Sequence, residues 1–307
     1  MEIAEVEDEW VDLLEKSQKS ILSRPWAPTA GNHDEYGLNY NELFPETYNN
    51  HFNVPAAQGK IDGGSYYSYD YNGVHFVVAN TNDYKNPAKK ALGEEQLAWI
   101  KEDVQEARKR GTNWVVLQYH KPLFSKSLRE DFMKLIDELD IDLALQGHDH
   151  VISRTKSLNY ASKEESFVNA QIDFADIVLG KDHVEYYQNP KGTTFILPNT
   201  GGTKAYDALY DKSLEHIKSV RPKLNWLTQE QLDHYNSLFA YGKQPQKSEN
   251  FKSSHENFRD SSEQNFAVYE FDDNVLKVKL YQVYGELSNN EPRQVKLIDE
   301  FGIQKNK

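Results

Sequence analysis

Apolar residues recur at helical spacing in several stretches of the chain. Between Glu2 and Leu22 they return every three or four residues with acidic residues between them, which predicts an amphipathic helix. The same spacing predicts helices over Leu92–Arg110, Leu128–Leu139 and Thr228–Ala240. Two of these helices lead directly into apolar runs, so the sequence alternates between helix and strand.

Aromatic and β-branched runs predict the strands. The segment Tyr67–Tyr71 alternates up to Asn72-Gly73, and the apolar run Val74–Ala79 follows, which is the pattern of a β-hairpin. A second hairpin is predicted over Asn265–Val283, with its turn at Asp273-Asn274. Further strands are predicted at Trp26–Ala30, Trp114–Tyr119, 141–146 and Thr193–Asn199.

The order of these elements predicts a single α/β domain over residues 1–307, because no repeat or linker divides the chain. The region of about 153–262 has weaker patterns. We interpret 153–191 as an elaborated loop and the polar stretch at 242–264 as part of an exposed, partly mobile insertion.

Composition excludes several functions. The chain has 35 Lys and Arg against 48 Asp and Glu, a formal net charge of -13, and no basic cluster of the kind that binds a nucleic-acid backbone. It has no apolar run of about 18 residues, so no membrane span is predicted. Cysteine is absent, so a metal ion would have to be bound by His, Asn or carboxylate side chains.

Polar side chains suited to metal binding follow three of the predicted strands. They are Asn32 and His33, then His120, then His148 and His150. Loops at the carboxyl ends of strands converge in open α/β sheets, and this donor set suits Mn, Fe or Zn. Taken singly, each residue has a plainer interpretation, such as a capped loop histidine, a turn asparagine or an exposed polar pair at His33-Asp34. The remaining histidines have no such context and are interpreted as structural.

The order Gly-Asn-His-Asp, strand ending in His, Gly-His-Asp-His resembles the calcineurin-like metallophosphoesterases, most closely their purple-acid-phosphatase-like branch. The segments YYSYDYNGVHFVVANTN, EEQLAWIKEDV, YHKPLF, GHDHVISR and NFAVYEF resemble segments of that family as well. The resemblance implies a two-sheet sandwich flanked by helices. It also implies hydrolysis of a phosphorylated small-molecule substrate at two divalent or mixed-valence ions of Mn, Fe or Zn.

The resemblance also implies roles for individual residues. Asn32, His120 and His148 match the ligands of one metal, and His150 matches a ligand of the other, with a hydroxide bridging the two. His33 matches the histidine near the leaving-group oxygen, and Asp34 would orient its imidazole. Arg154 matches a position near the pocket and is given a supporting role in substrate binding.

The chain departs from the family at its start. The family begins with a strand ending in Asp-x-His or Asp-x-Gly and a second ending in Gly-Asp, whose aspartate bridges the metals, whereas only thirty residues precede Gly31 here. We therefore expect an N-terminally truncated domain with an unpaired sheet edge, in which one or both metals could be absent. The acids Glu2, Glu5, Glu7 and Asp8 are not expected to replace the missing ligands.

The sequence thus favours a metal-dependent phosphoesterase. The alternative is a non-catalytic remnant or pseudoenzyme that binds at most one metal, and a purely structural domain would not explain three histidine loops in this order. Substrate, metal identity and oligomeric state stay open. The family resemblance implies secretion, with a cytoplasmic location as the alternative.

Overall fold

The computed structural model describes residues 2–40, 45–54, 65–82, 92–122, 129–198, 201–202, 204–205, 212–243, 259–261, 263–285 and 290–306. Contacts within the chain group it into two units, residues 1–135 and 136–307. None of the helices in the described part is both long and apolar enough to cross a membrane.

The first unit combines three helices of the described part with three strands, and a fourth helix crosses the boundary. These elements are α1 (Glu7–Ile21), α2 (Pro45–His51), β1 (Tyr67–Tyr71), β2 (Val74–Val78), α3 (Glu94–Lys109), β3 (Trp114–Gln118) and α4 (Arg129–Glu138). The predicted hairpin is confirmed, since β1 and β2 pair antiparallel around Asn72 and Gly73. Both turn residues have positive φ angles, 50° and 80°, as a type I′ turn requires.

Strands β2 and β3 form the centre of this unit. They pair in parallel with Val74 opposite Trp114, and their apolar side chains are almost completely buried. Helix α3 contacts β2 and buries Ile100 and Val104, so the predicted helical face is confirmed. Because the two strands are parallel, the residues that follow them, Asn80 and His120 among them, emerge at the same edge.

The prediction of a strand at Trp26–Ala30 is wrong. The segment has no strand partner in the described part of the chain. Its carbonyl groups bond to side chains instead: Gln118 Nε2 donates to the Ala27 oxygen at 3.0 Å, and the Tyr67 hydroxyl donates to the Pro28 oxygen at 2.8 Å. An apolar run becomes a strand only when a neighbouring strand is present to form the backbone hydrogen bonds. The pattern of residues within the run does not reveal whether such a neighbour exists.

The second unit is built mainly from strands. Its described elements are β4 (Leu143–Leu145), β5 (Ile152–Tyr160), β6 (Ala170–Ile172), β7 (Asp176–Leu179), β8 (Glu185–Gln188), β9 (Thr193–Pro198), β10 (Lys204–Ala205), α5 (Leu214–Val220), a 3-10 turn (Pro222–Leu224), α6 (Gln229–Ser237), β11 (Phe239–Lys243), β12 (Arg259–Asp260), β13 (Gln264–Phe271), β14 (Val275–Tyr284) and β15 (Gln294–Gln304). Strands β4, β9, β5 and β11 are neighbours in that order, with β6 added to β5. A separate sheet has the order β13-β14-β15-β8-β7, and β10 pairs with β12.

The interpretation of 153–191 as a loop is wrong, because the nine-residue strand β5 and strands β6, β7 and β8 occupy most of it. The polar residues of β5 are typical of a loop, but in the structure they are buried and hydrogen bonded within a strand. Ser157 Oγ donates to Asp173 Oδ2 at 3.0 Å, and Thr155 Oγ1 accepts from the Phe195 N–H at 3.0 Å. Of the predicted insertion, residues 244–258 and 262 lie outside the described residues.

Two other predictions in this unit are confirmed. The helix expected over Thr228–Ala240 is α6, and it starts with a capping box in which Thr228 and Gln231 each bond the other's backbone. The C-terminal hairpin is formed by β13 and β14. The prediction that all 307 residues form one domain stays a prediction.

Candidate active site

The metal-ligand candidates of the first unit converge although they are far apart in the sequence. His120 follows β3, and its Nε2 atom lies 2.8 Å from Oδ1 of Asn32, 88 residues earlier. Asn32 is buried, and its carbonyl group accepts the Tyr36 N–H at 3.0 Å, so a tight turn fixes its backbone. Two of the predicted ligands are therefore neighbours.

Gly31 allows this close approach. A Cβ atom at position 31 would lie 2.9 Å from Cε1 and 3.0 Å from Nδ1 of His120, which is closer than a side chain tolerates. It would also lie 3.1 Å from Oδ2 of Asp34. The glycine before Asn32 is thus required by the packing of the His120 ring.

His33 and Asp34 do not have the relationship predicted from the sequence. His33 Nδ1 lies 2.8 Å from the carbonyl oxygen of Glu2, and Asp34 Oδ2 accepts the Gly31 N–H at 2.8 Å. The group that orients the His33 ring is therefore a backbone carbonyl, and Asp34 closes the turn around Asn32. Burial raises the pKa of Asp34, although the Gly31 N–H and the nearby His33 partly oppose the rise.

A buried polar network supports the same loop and was missed by sequence reasoning. Asn80 Nδ2 donates to Glu35 Oε1 at 2.7 Å, and the Asn80 N–H donates to Gln96 Oε1 at 2.8 Å. Burial raises the pKa of Glu35 to about 8, although the hydrogen bond from Asn80 partly opposes the rise. The signal in the sequence is the polar pair Asn80 and Asn82 directly after a buried strand.

Lys121 links this network to the end of β3. Its Nζ atom donates to the Thr81 carbonyl at 3.1 Å, and its N–H donates to Thr81 Oγ1 at 3.1 Å. Burial lowers the pKa of Lys121, although the charge of Glu35 partly opposes the change. The residue after His120 is thus anchored to the end of β2, which restricts where the imidazole can lie.

The second unit contains the Gly-His-Asp-His loop, which follows β4. His148 and His150 have φ angles of 73° and 49°, in the left-handed region that residues with a side chain rarely adopt. Each such residue costs about 1–3 kcal/mol and is retained where the local structure or function demands it. Burial raises the pKa of Asp149, between them, to about 6, although the charge of Arg221 partly opposes the rise.

Arg154 does not have the geometry of a substrate-binding residue, which corrects its predicted role. Its Nε and Nη2 atoms donate to Oδ2 and Oδ1 of Asp299 at 2.5 and 2.9 Å, and its guanidinium lies 4.3 Å from the Phe301 ring centre. The two side chains of the pair are only 9% and 12% exposed. This arginine stabilises the interior of the second unit.

The donor pair in the first unit fits a transition metal. Metal bonds to imidazole nitrogen and to oxygen ligands are about 2.0–2.2 Å long, so two ligand atoms at right angles on one ion lie about 3 Å apart. The 2.8 Å between His120 Nε2 and Asn32 Oδ1 agrees with that separation. Within the described ranges, however, no group of three or more His, Asp or Glu side chains is arranged to hold a metal ion.

Comparisons with known proteins find similarity to phosphoesterases. Residues 4–152 match the family described as calcineurin-like phosphoesterase. An uncharacterized protein of Mycobacterium tuberculosis is 24% identical over 211 residues, which cover 63% of this chain and 38% of that protein. Purple acid phosphatase 23 of Arabidopsis thaliana is 26% identical over 201 residues, which cover 58% of this chain and 42% of that protein.

The fold has a counterpart among solved structures. The purple acid phosphatase PPD1 from yellow lupin (Lupinus luteus) seeds aligns with a TM-score of 0.55 and 17% identity, over 97% of this chain and 44% of that one. The predicted α/β fold with two sheets and helices is thereby confirmed. The chain spans less than half the length of each of these relatives.

Proposed function

We propose that the chain is a metallophosphoesterase of the purple-acid-phosphatase-like kind and that it hydrolyses phosphate esters at a binuclear metal site, because its residues 4–152 match the calcineurin-like phosphoesterase family. The observation that carries the proposal is the 2.8 Å approach of His120 Nε2 to Asn32 Oδ1 across 88 residues. This hydrogen-bonded contact holds the Asn32 oxygen and the His120 nitrogen at about the separation that two ligands of one ion would have.

In this proposal Asn32, His120 and His148 hold one ion of Mn, Fe or Zn, and His150 contributes to a second. The ions, when bound, supply a nucleophilic hydroxide at neutral pH and neutralise charge on the phosphoryl oxygens. Asn32 is a neutral ligand, so it fixes the position of a cation without adding negative charge that would repel a phosphate. In this proposal the left-handed backbone at His148 and His150 would direct both imidazoles toward the ions.

His33 would act on the leaving group. Its Nδ1–H donates to the Glu2 carbonyl, which leaves Nε2 as the ring nitrogen that exchanges a proton. In the protonated ring, Nε2–H can transfer its proton to the ester oxygen as the P–O bond breaks, and the neutral ring then remains. Asp34 keeps the preceding turn closed through Gly31, which positions His33 beside Asn32.

The second candidate is a non-catalytic protein that binds at most one metal. It is favoured by the finding that the described residues contain no group of three His, Asp or Glu side chains suited to a metal ion. The two candidates share the Asn32 and His120 pair and differ in turnover. Secretion remains an expectation that rests on the family resemblance.

Hydrolysis of an aryl phosphate, such as p-nitrophenyl phosphate, tests the proposal when it is assayed after separate loading with Mn, Fe and Zn. We expect metal-dependent turnover that falls at least a hundredfold in His120→Ala and in His148→Ala. His33→Ala should lower kcat by about 10²–10⁴-fold with little change in metal content, as for loss of a general acid. His183→Asn, on an exposed turn, is the matched control and should retain activity.

Metal binding without turnover for any of the three metals would favour the non-catalytic candidate. Turnover that survives both His120→Ala and His148→Ala would contradict the proposed site.

A further inference from the structure

An aromatic pocket in the first unit is not used by the proposed chemistry. It has a volume of about 290 Å³, close to the lower limit of about 300 Å³ that is typical of small-molecule sites. Residues of α1, of α2 and of the segment before Gly31 line it, and the lining does not include Asn32, His33 or His120. The residues that shape it are Leu13, Trp26, Pro28, Asp34, Tyr48 and Phe52.

Three aromatic rings run along one wall of this pocket. The ring centre of Phe52 lies 5.9 Å from that of Trp26 and 5.0 Å from that of Tyr48. Trp26 is 44% exposed and Tyr48 is buried, so the wall extends from the surface into the interior. The buried Trp10 packs edge-on against Phe52 and holds it in place. Aromatic rings bind apolar groups and attract cations.

Asp34 gives the pocket a negative charge. Of the described residues that line it, only Asp34 is acidic, and none is a lysine or an arginine. The Oδ2 atom of Asp34 accepts the Gly31 N–H at 2.8 Å, whereas Oδ1 has no hydrogen bond with a described residue. A carboxylate that is partly removed from water is costly unless a partner compensates its charge. The pocket therefore favours a ligand that carries a positive charge.

A second polar group at the pocket also lacks a partner. The Tyr48 hydroxyl is buried and has no hydrogen-bond partner within the described part of the chain. Burial raises the pKa of this hydroxyl, and the nearby groups that add to the rise include Asp34, so the two side chains are close to each other. Buried polar groups are nearly always hydrogen bonded, so an unpaired hydroxyl beside a cavity points to a molecule that occupies the cavity.

We propose that this pocket binds a small primary ammonium ion that carries an aromatic or alkyl body. The ammonium group has three N–H donors and would donate to Asp34 Oδ1 and to the Tyr48 hydroxyl oxygen. The body would lie against Trp26 and Phe52, whose rings also attract the cation. The net charge of -13 on the protein favours the approach of cations over anions.

Other classes of ligand fit these residues less well. A neutral apolar molecule would leave the Tyr48 hydroxyl and Asp34 Oδ1 without partners. A phosphate ester would be repelled by Asp34, so the pocket is not a second site for the substrate of the proposed hydrolysis. Amine binding is thus separate from turnover and can be measured whether or not the protein is active.

Isothermal titration of the purified protein with 2-phenylethylamine tests the site. We expect a Kd below about 1 mM, which is within reach of a ligand of this size. The matched ligand is 2-phenylethanol, which has the same body but no charge. It should bind at least about tenfold more weakly, because it lacks the charge-assisted hydrogen bond to Asp34.

Two substitutions separate binding from folding. Asp34→Asn keeps an acceptor for the Gly31 N–H but removes the charge, and it should raise the Kd for the amine at least about tenfold. Tyr48→Phe removes a hydroxyl that has no partner among the described residues, so it should raise the Kd severalfold while the urea midpoint stays unchanged or increases. Asp12→Asn removes an exposed acid on α1, is the matched control and should leave the Kd unchanged.

Equal Kd values for 2-phenylethanol and the amine would show a purely apolar pocket and would overturn the proposal. So would a Kd for the amine that neither Asp34→Asn nor Tyr48→Phe changes, when urea unfolding shows that the variants are folded. If Asp34→Asn does not fold, the comparison of the two ligands and the Tyr48→Phe variant decide. Absence of binding at about 10 mM amine, well above the expected Kd, would overturn the proposal as well.

Discussion

His120 places its Nε2 atom 2.8 Å from the Oδ1 atom of Asn32, and the absence of a side chain at Gly31 makes the approach possible. The contact joins the turn after the first helix to the end of β3. Neither residue is placed by its immediate neighbours alone. Asp34 closes the turn through the Gly31 N–H, while Lys121 anchors the backbone beside His120 to Thr81. The pair is therefore preorganised by contacts from both sides.

Gly31→Ala should separate the pair. The added Cβ atom would lie 2.9 Å from Cε1 of His120, so the ring must move. Loss of such support typically lowers metal affinity about 10–100-fold, and isothermal titration with Mn or Zn would measure it. Gly201→Ala is the matched control, because a Cβ there meets no atom of the described residues within 4 Å. Equal affinity in the two variants would contradict the packing role of Gly31.

His75 lies outside the candidate active site, and its surroundings predict that the stability of the protein depends on pH. Burial opposes its charging, but the ring donates hydrogen bonds from Nε2 to Asp103 Oδ2 at 2.9 Å and from Nδ1 to Asp70 Oδ1 at 2.8 Å, and these outweigh burial and raise the pKa of His75. A folded-state pKa above the unfolded value stabilises the protein fully below the unfolded pKa of about 6.5. That stabilisation is lost as the pH rises through the raised pKa.

Asp103→Asn should remove most of this dependence. The free energy of unfolding of the wild-type protein, measured with urea, should fall as the pH rises above about 6.5, because the stabilisation from this group is then lost. In Asp103→Asn the fall should be much smaller, whereas the exposed neighbour Glu102→Gln should behave like the wild type. Parallel curves for all three proteins would show that His75 is not charged by its two carboxylate partners.

Arg154 should matter for stability rather than for substrate binding. Arg154→Met leaves Asp299 buried without its partner, which should cost about 3–5 kcal/mol of unfolding free energy. The double variant Arg154→Met/Asp299→Leu removes both charges and should recover much of that loss, as measured by urea unfolding. A single variant with normal stability and a raised KM would restore the substrate role predicted from the sequence.

The sequence predicted the elements whose pattern is local. The hairpin at Asn72-Gly73 follows from alternation and a turn that accepts positive φ, and α6 follows from the helical spacing of its apolar residues. It did not predict elements that depend on a partner. The segment Trp26–Ala30 is apolar but has no neighbouring strand, while β5 is polar and yet buried, because Ser157 and Thr155 find hydrogen-bond partners.

The candidate site shows the same division. Asn32 and His120 were predicted as neighbours from the family resemblance, and the geometry brings them together. The orienting group of His33 was predicted to be Asp34, but a carbonyl group has no signature in a sequence, and Glu2 supplies it. The bond between Glu35 and Asn80 has no signature in the sequence. Glu35 follows the polar Asn-His-Asp run, so from the sequence it looks like any exposed loop carboxylate.

Metal content per chain tests the central claim most directly. The protein would be loaded with Mn, Fe or Zn, dialysed and analysed for bound metal, beside Asn32→Ala, His120→Ala and the control His183→Asn. We predict at least one ion per chain in the wild type and the control, and a clear loss in both site variants. A wild type without bound metal, or metal content unchanged by both substitutions, would contradict the assignment of Asn32 and His120 as ligands of one ion.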